Sequence, residues 1–170
     1  METPDPGGHD RSLENAALRL LKVRERSRKE LATKLLQRGH CAQAVDALLE
    51  DLVADRWIDD ERFARVYVRD RLRLNPRSYR RLDLELARRG IDGPVRSRVL
   101  AEARRDAPEE EVARRMAAAR WRRLSGNAQA RREALVRWLK GRGFSRDVTS
   151  WAAARAAGEI GEGDLPIEDS

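Results

Sequence analysis

The sequence has one cysteine, Cys41, so it can build neither a disulfide framework nor a four-thiolate metal site. Aromatic residues make up 5% of the chain, too few for one large aromatic core. No apolar run approaches the ~20 residues that a membrane-crossing helix needs. The N-terminus also lacks the basic-then-apolar pattern of a secretory signal. These absences imply a soluble protein of a reducing cytoplasm, with no membrane partner. There is no Gly-rich phosphate loop, which argues against nucleotide hydrolysis. Histidines number two: His9 lies in a Pro/Gly-rich leader, and His40 follows a glycine that ends a helix. His40 adjoins Cys41, but no third group is indicated to orient such a pair for nucleophilic chemistry. Asp59, Asp60 and Glu61 have the chemistry of metal ligands, yet they open a helix, where carboxylates complement the partial positive charge. The expectation is a protein without catalytic activity, metal or cofactor.

Charge is what the chain has in plenty. Charged residues are 38% of the total and the net charge is +7. Residues 1–12 carry −2 and residues 158–170 carry −5, which leaves +14 on residues 13–157. A basic body of this kind favours nucleic acid or an acidic protein surface. An arginine-rich composition set by coding bias would give the same total. The two acidic ends, rich in Gly and Pro and poor in apolar residues, read as a disordered leader (1–12) and a disordered tail (158–170).

Between those ends one phrase recurs: leucines at helical spacing, a basic residue, then a glycine. Counted back from Gly39, Gly90 and Gly143, position −4 is Leu35, Leu86 and Leu139. Position −8 is Leu31, Leu82 and Leu135, and position −1 is Arg38, Arg89 and Arg142. Around each copy the apolar spacing predicts one helix before and one after. In the first unit Leu13, Ala17 and Leu20 give a helix over about 13–25, and Ser27 followed by Glu30 is a capping box for the next. Val45, Leu48, Leu49 and Leu52 give a third over about 42–54. In the second, Phe63, Val66, Tyr67 and Leu74 line a helix of about 60–74 that Asn75-Pro76 breaks. Each glycine can take the left-handed conformation that closes a helix. The fold class expected is therefore all-α: three tandem three-helix repeats, about nine helices, in an elongated, curved arrangement. The repeats are 13–58, 59–107 and 108–157. A unit of ~50 residues buries little surface alone, so neighbours should share a core.

The polar sides of the three motif helices repeat a row of cations. Arg28, Lys29, Lys34 and Arg38 stand in the first unit. Arg77, Arg80, Arg81, Arg88 and Arg89 stand in the second, and Arg131, Arg132, Arg137, Lys140 and Arg142 in the third. Guanidinium groups grip phosphates and carboxylates in bidentate geometry, so these rows are the candidate partner- and DNA-binding faces. A solvated helix face is the alternative for any single member. Trp57, Phe63, Tyr67, Trp121, Trp138 and Trp151 form no regular row, and they read as packing residues rather than base-stacking platforms.

Taken together, these segments resemble the RecX family of bacterial regulators of the RecA recombinase. The first unit's Ala17-Leu18, Leu20-Leu21, Arg26-Ser27, Glu30-Leu31, Leu35 and Gly39 resemble the family's opening. Trp57-Ile58-Asp59-Asp60-Glu61-Arg62-Phe63-Ala64, Val68, Arg71, Leu82, Glu85-Leu86 and Arg89-Gly90-Ile91 resemble its most recognisable segment. Leu139-Lys140-Gly141-Arg142-Gly143-Phe144-Ser145 resembles its ending. The chain departs at Pro76-Arg77-Ser78, where a glycine is common, and at Gln37, where a basic residue is usual. The resemblance implies a non-catalytic, monomeric modulator in DNA recombination, repair and the SOS response. It would bind the RecA nucleoprotein filament on single-stranded DNA, lie in the filament groove, and limit assembly, ATP hydrolysis and co-protease activity. The alternative is a sequence-neutral DNA-binding helical-repeat protein acting mainly through phosphate contacts.

Overall fold

The computed structural model describes residues 10–158. Among these residues the chain forms nine helices and no strand: α1 Arg11–Val23, α2 Arg28–Leu36, α3 Ala42–Ala54, α4 Asp60–Leu74, α5 Tyr79–Arg88, α6 Gly93–Asp106, α7 Glu109–Trp121, α8 Ala128–Gly141 and α9 Arg146–Ala157. The three-helix rhythm read from the leucine–glycine phrase is present, with the motif copies on α2, α5 and α8. The acidic tail and most of the leader lie outside the described residues.

Local chemistry fixes the helix ends. Ser27 Oγ accepts from the Glu30 N–H at 3.1 Å, Asn127 Oδ1 from the Ala130 N–H at 2.9 Å, and Ser145 Oγ from the Val148 N–H at 3.2 Å. Each satisfies a backbone donor that the first helical turn leaves free. Only the serine half of the expected Ser27–Glu30 box caps the helix. The Glu30 carboxylate instead accepts from Arg24 at 2.8 Å and lies 3.2 Å from Arg89. Asp59 caps α4, its Oδ1 accepting from the Arg62 N–H at 2.9 Å.

The chain divides into two compact units. Unit 1 comprises the described residues up to Val66 together with Leu86–Arg96. Its core is Leu13, Ala17, Leu20, Leu31, Leu35, Val45, Leu48, Leu49, Leu52 and Ile58, drawn from α1, α2, α3 and the turn into α4. Unit 2 comprises Tyr67–Glu85 and the described residues from Ser97 on. Its core is Val112, Ala113, Met116, Ala117, Leu135, Leu139, Phe144, Val148, Ala152 and Ala153, from α7, α8 and α9. The divisions fall inside α4, α5 and α6, so the middle repeat contributes to both units. Leu74, expected on the buried side of α4, is 71% exposed, because the chain turns away at Asn75-Pro76 after the last turn of the helix.

Successive repeats meet at a recurring joint: the first turn of one motif helix lies against the closing turn of the next. Within unit 1, buried Ser27 at the start of α2 donates its hydroxyl to the Arg89 carbonyl at 2.7 Å. A Cβ on Gly90 (φ +82°) would come within 2.8 Å of the Lys29 side chain. Within unit 2, buried Ser78 ahead of α5 donates its N–H to the Arg142 carbonyl at 3.2 Å. A Cβ on Gly143 (φ +92°) would come within 2.6 Å of Ser78 Oγ and 3.0 Å of Arg81 Cβ. Glycine is therefore needed at 90 and 143 twice over, for the left-handed turn and for the close approach.

Tyr79 anchors the start of α5 in unit 2. It is fully buried, its hydroxyl donates to the Ala103 and Ala107 carbonyls at 2.8 and 2.7 Å, and its N–H donates to Glu109 Oε1 at 2.7 Å. Burial pushes the phenol up to about 12, against the pull of Arg104 and with Glu109 and Asp106 adding to the rise. A raised phenol contributes stability that is complete below the free value of about 10 and is lost as pH climbs through about 12. Tyr79→Phe should cost about 1–2 kcal/mol near neutral pH and remove this group's share of the alkaline loss. Urea unfolding followed by helical circular dichroism across that range checks it; identical alkaline limbs in both proteins would refute the assignment.

Candidate nucleic-acid and partner interface

The fourteen cations expected to form the binding faces separate into two groups. Arg28, Lys29, Lys34, Arg38, Arg80, Arg88, Arg137 and Lys140 are exposed. Two of these hold light contacts: Lys34 donates to Gln37 Oε1 at 3.2 Å, and Arg137 lies 3.9 Å from Glu133. Arg77, Arg89, Arg131, Arg132 and Arg142 are half-buried, and Arg81, though exposed, reaches Glu85 Oε1 at 3.4 Å. Several of these hold the fold together.

Glu85 is the centre of one such cluster in unit 2. Its side chain is 9% exposed and accepts from the Tyr67 hydroxyl at 2.6 Å, from Arg77 and from Arg81, with Arg71 3.8 Å away. Burial opposes its ionisation, but the Tyr67 hydrogen bond and the guanidiniums of Arg77, Arg81 and Arg71 outweigh that and hold the carboxyl below its ordinary value. Arg71 also lies 4.9 Å over the Tyr67 ring.

The arginines one residue before Gly90 and Gly143 work similarly. Arg89 lies 3.2 Å from Glu30 in unit 1. In unit 2, Arg142 donates to the Asn75 side-chain carbonyl and, at 3.4 Å, to the Pro76 carbonyl. Burial lowers the Arg142 pKa, and the nearby Arg77 and Arg120 charges lower it further. Arg131 donates to the Trp121 carbonyl at 3.0 Å and lies 4.0 Å over that indole.

The feature that helix-by-helix reading missed is a cleft of about 650 Å³ in unit 2, between the end of α4, α7 and α8. Leu72, Val112, Met116 and Trp138 give it an apolar lining. Arg73, Arg115, Arg120, Arg123 and Arg142 surround that lining, and no acidic side chain lines it. Only Arg142 belonged to the expected faces. Arg120 and Arg142 lie 5.6 and 4.9 Å over the Trp138 ring. Among the described residues, the buried Arg120 Nε has no hydrogen-bond partner. Such a cleft combines anion-binding guanidiniums with an aromatic surface, the chemistry of a groove for single-stranded nucleic acid. No one stretch of sequence signals it, because its arginines lie at the end of α4, on α7 and in the turns that follow α7 and α8.

The aromatic residues divide as well. Phe63 is buried, and Tyr67, Trp121, Trp138 and Trp151 are half-buried. Trp57 breaks the expectation of a packing role: it is 56% exposed, left outside by the turn between α3 and α4. Among the described residues there is no cluster of metal-ligating side chains, and no helix is long and apolar enough to cross a membrane.

Comparison with known proteins decides the family. The profile of the first RecX three-helix domain matches residues 15–52, and that of the second matches residues 59–100. The regulatory protein RecX of Halorhodospira halophila is 38% identical over 155 residues, covering 89% of this chain and 92% of that one. The chain belongs to the RecX family. A regulatory protein RecX from Mycobacterium sp. (strain KMS) is 36% identical, with 85% of this chain and 83% of that one covered. The crystal structure of RecX from Lactobacillus salivarius shares the fold, with a TM-score of 0.70 at 23% identity over 85% of this chain and 94% of that one. A RecX protein is named for regulation, and the all-α repeat architecture derived from the leucine–glycine phrase is the RecX architecture.

The Glu85 cluster makes the division among the arginines testable. A depressed carboxyl contributes stability that is complete above its ordinary pKa and is lost as pH falls through the lowered value. Glu85→Gln should cost about 2 kcal/mol at neutral pH, since it leaves Arg77 partly buried without its carboxylate, and should flatten the acid limb of stability below about pH 4.5. Denaturant midpoints from neutral to acid pH would show it. An acid limb as steep as in the unsubstituted protein would remove Glu85 as its source.

Proposed function

We propose that this RecX-family chain is a non-catalytic modulator of the RecA recombinase. It binds in the groove of the RecA–single-stranded DNA filament as a monomer in the cytoplasm, and it limits filament assembly, ATP hydrolysis and co-protease activity. Family membership supports the regulatory role. The observation that carries a nucleoprotein target is the unit 2 cleft, where five arginines and Trp138 meet with no carboxylate lining it. In this reading the three repeats, 13–58, 59–107 and 108–157, each supply part of an extended contact. The cleft and the exposed cations Arg80, Arg88, Arg137 and Lys140 meet phosphates, while Arg28, Lys29 and Lys34 on α2 and Arg38 in the turn after it meet acidic protein surface. Arg77, Arg81, Arg89, Arg131 and Arg142 set the shape of those faces, and Arg132 adds to the third.

A second reading, a sequence-neutral DNA-binding protein, draws on the same cleft, because phosphate contacts give affinity and salt dependence without choosing a sequence. A titration of RecA's DNA-dependent ATPase separates the two. Regulation of the filament predicts inhibition at concentrations well below that of RecA protomers. Inhibition only when this chain saturates the DNA would favour simple competition.

Replacing Arg115 and Arg123, which line the cleft, with alanine should weaken filament binding about tenfold. The same change should reduce the salt slope of binding by about one to two phosphate contacts. Fluorescence anisotropy at several salt concentrations measures both, and unchanged affinity with an unchanged slope would take the cleft out of the contact.

A further inference from the structure

Counted from the closing glycine, the two joints between repeats use the same positions. In the second repeat, Arg89 and its carbonyl receive the first turn of α2. In the third, Arg142 and its carbonyl receive the first turn of α5. What is received is alike in both: a helix start with a buried serine, Ser27 or Ser78, and an oxygen acceptor for the arginine. The acceptor is the Glu30 carboxylate in one joint and the Asn75 and Pro76 carbonyls in the other.

The first repeat presents the same set at the end of α2, and among the described residues nothing fills it. Gly39 takes the closing conformation, φ +87°, with nothing within 4 Å of where a Cβ would stand. Arg38 is exposed, and Leu36 beside it is 45% exposed. We propose that this open joint is a docking surface for the first turn of a helix on a protein partner, one that carries a hydroxyl cap and a carboxylate for Arg38.

Electrostatics favours that occupant. The closing carbonyls of α2 are the negative end of a helix, so they attract the positive start of another helix and hydroxyl donors, and they repel phosphate. A second copy of this chain fits poorly. Its last motif helix, α8, is capped by the amide Asn127 and has no acidic residue in its first turn, so it offers Arg38 neither a hydroxyl cap nor a carboxylate. The inference rests on the filament reading, in which the occupant belongs to a RecA protomer. It narrows the acidic protein surface that meets Arg38 to one carboxylate in the first turn of that helix.

Cys41 gives a handle, being the sole cysteine, exposed, and two residues beyond Gly39. A photoreactive group attached there, in the full chain bound to RecA filaments on single-stranded DNA, should cross-link to the first turn of a RecA helix bearing Ser or Thr and an acidic residue. Arg38→Glu should weaken filament binding about tenfold, Arg38→Lys less, with helical circular dichroism unchanged in both. Cross-links to DNA, to a second copy or to the chain's own residues 159–170 would overturn the docking surface. So would full binding by Arg38→Glu. Either result leaves the regulator reading standing if ATPase inhibition persists. An unsubstituted chain that neither binds filaments nor inhibits them would bring down both.

Discussion

The structure depends on how the start of one motif helix meets the end of the next. A helix leaves donors free at its start and acceptors free at its end. Here the two deficits meet in the same chain: Ser27 gives its hydroxyl to the Arg89 carbonyl, and Ser78 gives its backbone N–H to the Arg142 carbonyl. The approach is close enough that any side chain on Gly90 or Gly143 would collide with the neighbouring turn. The expectation that neighbouring repeats share a core gives way here: the first and third three-helix units each hold a buried core of their own, and polar contacts of defined geometry join successive motif helices. That suits a chain with few aromatic residues and abundant charge.

The arginines follow from the same constraint. A helix end favours cations, so a basic residue before each closing glycine is stabilising wherever it stands. The structure draws Arg89 and Arg142 inward, onto Glu30 and onto Asn75 and Pro76, and leaves Arg38 outside. Glu85 draws Arg77 and Arg81 onto its buried carboxylate in the same manner. Net positive charge thus overstates the basic surface on the motif helices. Arg73, Arg120 and Arg123, by contrast, line a cleft with no carboxylate in its lining, while Arg115 beside them lies 3.6 Å from Glu111.

The fold was legible because its signals are local. Leucines four residues apart before a glycine mark a helix and its stop, and the repetition at 39, 90 and 143 identifies the repeat without reference to long-range contacts. The predicted spans 42–54 and 60–74 match α3 and α4. What the sequence could not display was pairing across helices. Nothing in the spacing of Arg77, Arg81 and Glu85 says that Tyr67 joins them from α4, or that Arg142 turns towards Asn75. The cleft escaped for the same reason, since its arginines come from α4, α7 and the turns that follow α7 and α8, and no single helix carries the pattern. Trp57 and Leu74 were misplaced because periodicity assumes that a helix face stays covered to its end, whereas turns at residues 55–59 and 75–76 uncover them.

A repeat joined by complementary ends has a further property. Each joint satisfies one helix end, and among the described residues the first copy retains an end that the other two use up. For most repeat proteins this is a liability handled by a polar cap. At Arg38 and Gly39 the first copy keeps the features that are engaged at Arg89-Gly90 and Arg142-Gly143 and adds an exposed leucine. A surface already suited to one helix start within the chain has the acceptors, the cation and the open space for another from outside. Recognition there needs no chemistry beyond what already joins the repeats.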